Sequence, residues 1–140
     1  MTRPVRTAAQ PASRIASAAG PRAAVHPAPG PLAWLDRLYF GRSVEGRDSV
    51  SDADWERFLR ETVVPRFPDG FTVLHAEGRW RGADTTEAER SFVLEVVHAG
   101  DSTAEARVLE VARAYRTRFR QEAVLRVRTA ADAAILRGEN

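Results

Sequence analysis

The sequence predicts an α+β fold of the ferredoxin-like, split βαβ kind, with element order βαββαβ and two helices on one face of a four-stranded antiparallel sheet. Three observations carry this. After residue 34 the hydrophobic period switches between two and about 3.6 in that order. Each helical stretch opens on a capping signal. The most apolar segment, Ser91-Phe92-Val93-Leu94-Glu95-Val96-Val97, has the β-branched and aromatic content of a strand. This architecture hosts enzymes, RNA binders and purely structural modules, so it does not by itself supply an activity.

The first strand is expected near 35–42, where Leu35, Leu38, Tyr39 and Phe40 cluster. A polar loop from Ser43 to Ser49 follows. Ser51 and Asp54 form a capping box for a helix over 52–64, with Trp55, Phe58, Leu59 and Val63 on one face. Pro65 is expected to end it. The turn Pro68-Asp69-Gly70 leads into a second strand near 71–80, and the polar stretch Gly82 to Glu89 reads as a loop.

Glu95 sets the phase of the third strand, 91–98. If the carboxylate faces away from the helices, Phe92, Leu94 and Val96 lie under them. Gly100-Asp101 breaks the chain, and Ser102 with Glu105 is expected to cap a helix over 103–120 with the stripe Val108, Val111, Ala112, Tyr115 and Phe119. The fourth strand is expected over 123–128. The Ala-rich end, 129–140, reads as a tail with one short fraying helix.

The domain organisation predicted is a disordered leader over 1–33, a folded domain over 34–128 and that tail. The leader's first thirty residues contain prolines at 4, 11, 21, 27 and 29 and no apolar period. Neither a secretory signal nor a membrane span can be read in it, so a cytoplasmic location is expected. The ordered part, about 105 residues with its tail, is large enough to bury somewhat over 60% of its unfolded surface without staples. The chain has no cysteine, which excludes disulfides, thiolate metal sites and a cysteine nucleophile.

Charge is asymmetric. Arg3, Arg6, Arg14 and Arg22 face no acid in the leader, whereas the remaining 17 arginines are outnumbered by 19 acids, and there is no lysine. The high pI therefore belongs to the leader, and the folded part has no long-range attraction for phosphate. Neither nucleic acid nor membrane is an expected partner.

Leu38-Tyr39-Phe40-Gly41-Arg42, Trp55 to Phe58, Phe67-Pro68-Asp69-Gly70, Trp80-Arg81, and Tyr115 to Phe119 followed by Gln121-Glu122-Ala123-Val124 form an ordered set. This set resembles a bacterial family of small proteins, domain-of-unknown-function family 3574, over roughly Leu38 to Val127. The resemblance implies a single small domain and brings no catalytic residue. Members often have serine where this chain has Ala123, and many look exported.

With the expected strand order four, one, three, two, one sheet face is open. Alternation is taken to place Tyr39, His75, Glu77, Arg79, Val93, Glu95, Val97 and Arg126 there. As a metal site, His75, Glu77 and His98 lack any close-spaced motif, and His26 lies in the leader; no metal and no cofactor are expected. As a catalytic pocket, His75 would be the base and Arg126 or Arg79 an anion clamp. RNA recognition is suggested by Leu38-Tyr39-Phe40-Gly41 and Arg90-Ser91-Phe92, but Leu94 stands where a second aromatic is needed. The expectation ranked first is a non-catalytic module that forms a homodimer through the open face, with Glu95 meeting Arg126 or Arg79. Deleting residues 1–30 should leave the thermal unfolding curve unchanged, a point differential scanning calorimetry checks directly.

Overall fold

The computed structural model describes residues 32–44, 47–81 and 85–138. The predicted leader lies outside the described residues, apart from Leu32 and Ala33, which open the first strand. The elements are β1 (Leu32–Gly41), a small hairpin of β2 (Ser43–Val44) and β3 (Arg47–Asp48), α1 (Asp52–Phe58), a π-helical turn (Leu59–Val63), α2 (Val64–Arg66), β4 (Thr72–Arg81), β5 (Thr86–His98), α3 (Ser102–Phe119) and β6 (Leu125–Asp132). The sheet runs β4–β5–β1–β6 with every pair antiparallel, the order the sequence predicts for its four main strands. Among the described residues no helix is long and apolar enough to cross a membrane.

The capping box of α1 forms as expected, with Ser51 accepting from the Asp54 amide and Asp54 accepting from the Ser51 amide. Pro65 does not end the helix. It sits within α2, downstream of the wide turn in which the Val64 N–H reaches the Leu59 carbonyl. The wide turn relaxes the clash a proline ring makes with the preceding turn, and the helix runs on to Arg66. For α3 the cap is Asp101, one residue before the serine expected, and its carboxylate accepts from the Ala104 amide.

Two connections also differ from expectation. β5 begins at Thr86, because its first residues pair in register with the end of β4, from Arg81 with Thr86 onward. Their polarity reflects a hairpin that projects with both faces wet. At the C-terminus the Ala-rich stretch is strand, not helix. Thr129, Ala130 and Ala131 pair with Leu35, Trp34 and Ala33, so ladder hydrogen bonds decide a segment whose own propensity for strand is weak.

Even-numbered residues of β1 and β5 face the helices. Leu38, Phe40, Phe92, Leu94 and Val96 pack there against Trp55, Phe58, Val63, Val108, Val111 and Tyr115. Trp55 stacks on Phe92 with ring centroids 4.2 Å apart, and Tyr115 packs on Phe40 at 4.5 Å. The Tyr115 hydroxyl donates to the Gly41 carbonyl at 2.6 Å, and burial holds this phenol protonated far above its ordinary range. Arg42 is buried as well, its guanidinium lying over the Phe92 ring, donating to the Val50 carbonyl and pairing with Asp52. Phe119, expected in the core, is partly buried at its edge.

Replacing Trp55 by alanine should cost about 3–5 kcal/mol of stability, by chemical denaturation. Its indole N–H is buried with no partner among the described residues. Trp55→Phe should therefore recover most of that loss, since it no longer buries an unpaired donor.

Candidate functional site

Odd-numbered residues of β1 and β5 point away from the helices, and pairing carries that phase outward to both edge strands. Tyr39 lies opposite Val93 on one side and Leu125 on the other, and Val93 lies opposite Leu74. Leu74, Val93, Tyr39 and Leu125 therefore form one apolar row across all four strands. Val93 is buried by its neighbours at 4% exposure, whereas Leu74, Val97, Leu125 and Val127 are exposed. The adjacent row reads Thr72, Glu95, Arg37, Val127. Arg37 donates to Glu95 at 2.7 Å, and the carboxylate holds that guanidinium protonated above its usual range.

At one end of this face lies an open cavity of about 450 Å³. Its floor is Leu35, Glu95 and Val97; its walls are Phe71, from the turn before β4, and Ile135, from the segment after β6. Glu95 and Val97 are the residues expected on the open face that line it.

Four of the expected open-face residues are on the other side. His75 lies opposite Phe92, on the helix side, with its ring edge-on to that phenyl at 5.1 Å. Glu77 and Arg79 follow at the same phase and pair with each other at 3.4 Å in solvent. Arg126 lies opposite Leu38 and donates to Glu105 of α3 at 2.8 Å. Polarity misleads at the edges of the sheet, because charged side chains there still reach water on the helix side. Tyr39 and Glu95 lie on the open face as expected, but the partner of Glu95 is Arg37, not Arg79 or Arg126.

A second cluster, absent from the sequence reading, lies on the helix side and spans β5, β1 and β6. Asp36 is fully buried and accepts from Arg128 through both oxygens at 2.8 Å, and its Oδ2 lies 2.7 Å from His98 Nε2. Arg128 also pairs with Glu105 and lies over the Trp34 ring. His98 Nδ1 accepts from the Gly100 amide at 3.0 Å, which assigns the proton to Nε2 and leaves neither ring nitrogen for general-base work. Gly100 is at φ 78°, and a Cβ there would run into the Trp34 indole, so only glycine fits. The signal for this cluster was present in the sequence: Asp36 is an acid at the buried phase of an apolar strand, and such a group requires a cation.

The geometry thus defines a small α+β domain with a helix-covered face, closed by a buried ion cluster, and a second face on which Leu74, Val97, Leu125 and Val127 are exposed among the described residues. The chain belongs to the family described as protein of unknown function (DUF3574), whose pattern matches residues 35–135. No curated protein matches it. Among solved structures it is similar to a phage SAM lyase in the apo state, at 16% identity and TM-score 0.55, covering 76% of this chain and 87% of that one. It is also similar to a phage SAM lyase in complex with S-methyl-5'-thioadenosine, at 13% identity and TM-score 0.51, with the same coverages. Likeness at this level is one of fold.

Burial by itself would raise the Asp36 carboxyl, but the hydrogen bonds from Arg128 and His98 outweigh it and hold the group below the ordinary carboxylate range. Hydrogen bonds from Arg126 and Arg128 lower Glu105 in the same way. Folded-state values below the unfolded ones mean that both acids stabilise the fold above about pH 4, and that this contribution fades as pH falls through the folded values. Urea midpoints should therefore drop on acidification below pH ~4, and Asp36→Ala should flatten that drop while costing about 3–5 kcal/mol at neutral pH.

Proposed function

We propose that this domain works by associating with a second copy of itself through the open sheet face. The observation that carries the reading is the row Leu74–Val93–Tyr39–Leu125, exposed at Leu74 and Leu125, with exposed Val127 beside it and Val97 beyond the Arg37–Glu95 pair, so that several large apolar side chains on this face lie open among the described residues. A folded chain keeps such side chains in water at a cost unless something covers them. The Arg37–Glu95 pair in the adjacent row suits an isologous contact. A two-fold axis brings the same pair from each copy into reach, and opposite charges then set the register while the apolar row supplies burial.

The 450 Å³ cavity supports a second reading, a small-molecule site with Glu95 as its polar anchor. A phage SAM lyase of similar fold binds S-methyl-5'-thioadenosine. The two readings separate experimentally. A thermal shift with S-methyl-5'-thioadenosine that is lost in Glu95→Gln favours the pocket, whereas no shift counts against that compound as its occupant.

Sedimentation velocity should show a concentration-dependent dimer for the wild type. Leu125→Arg, which places a charge at the end of the apolar row, should give a monomer with an unchanged circular dichroism spectrum. A wild type that stays monomeric at high concentration would sink the association reading.

A further inference from the structure

The sheet face is small for a stable dimer. Its four strands together hold 41 residues, and at about 3.3 Å of rise and 4.8 Å of strand spacing for each, the flat footprint is roughly 650 Å². Stable interfaces bury roughly 800 Å² on each partner. Something beyond the sheet has to contribute.

The segment after β6 has the required properties. Ile135 and Leu136 are 81% and 92% exposed, the most exposed large aliphatics among the described residues. Ile135 already lines the open-face cavity of its own chain, beside Leu35, Phe71 and Val97, yet that chain does not bury it. The segment leaves the sheet from an edge strand, and its six residues from Ala133 to Gly138 can reach at most about 20 Å, the width of the sheet.

We propose that this C-terminal segment is a reciprocal clasp, with Ile135 and Leu136 of each copy seated on the open face of the other, in the trough formed by Leu35, Phe71 and Val97. The proposal rests on the association reading above and assigns that interface its second component. The exposed aliphatics of the arm and the apolar trough are then two halves of one contact, used twice about the two-fold axis. The arm supplies the area the sheet lacks.

The chain contains no cysteine, so introduced thiols report without background. Chains carrying Ile135→Cys and chains carrying Val97→Cys, mixed and oxidised, should form a mixed covalent dimer. If the mixture stays uncrosslinked while one chain carrying both changes closes an internal disulfide, the arm lies on its own chain and the clasp is wrong. Truncation after Ala134 should weaken the dimer at least tenfold by sedimentation, with the circular dichroism spectrum unchanged. An unaltered dimer after truncation, alongside dissociation by Leu125→Arg, overturns the clasp and leaves the sheet interface standing; a wild type that never dimerises overturns both.

Discussion

The buried carboxylate of Asp36 is the constraint on which the two-faced character of the sheet depends. It sits in β1 at the phase that faces the helices, where a charge without partners would be costly. Arg128 of β6 and His98 of β5 satisfy it from the strands on either side, and Arg128 in turn reaches Glu105 of α3. One acid thus ties three strands and a helix together. It also sets the phase of β6. With Arg126 and Arg128 turned toward Asp36 and Glu105, alternation turns Leu125 and Val127 to the open side. The apolar row that defines the candidate site is the other half of that decision.

Stability and surface chemistry are divided between the two faces. Under the helices, aromatic packing dominates: Trp55 on Phe92, and Tyr115 among Phe40, Phe58 and Phe119. The arrangement is dense, and apart from the Trp55 indole N–H its polar groups are used internally, Tyr115 to the Gly41 carbonyl and Arg42 to Val50 and Asp52. On the open side, the Arg37–Glu95 pair lies beside the row Leu74, Val93, Tyr39 and Leu125. Exposed charge pairs contribute little to the stability of a single chain, so the Arg37–Glu95 pair matters more for what it can meet than for the fold. The likeness to phage SAM lyase structures is a likeness of fold, and fold does not supply function.

Much of the fold was legible because local signals agreed with one another. The capping box at Ser51 and Asp54, the periodic stripe through Val108, Val111 and Tyr115, and the strand from Ser91 to Val97 each point to one element and one buried side. The phase of β5 could be read from Glu95, the one charge between Phe92 and Val97. Of the candidate site, only the central strands were legible. Tyr39 and Glu95 were placed correctly; His75, Glu77, Arg79 and Arg126 were not, because in an edge strand a charge is wet on either face and polarity no longer marks the outside.

What the sequence by itself determined is therefore the element order, the core stripe of each helix and the phase of the two central strands, all consequences of hydrophobic period and capping acting over a few residues. Only the tertiary structure decided the phase of the two edge strands, the extension of β6 through an Ala-rich segment, and the cavity between Phe71 and Ile135. These depend on pairing between residues tens of positions apart: Arg128 with Asp36, His75 opposite Phe92, Ala131 opposite Ala33. Local pattern carries no information about which buried acid a distant arginine must satisfy, and that long-range choice is what turned the apolar side of β6 outward.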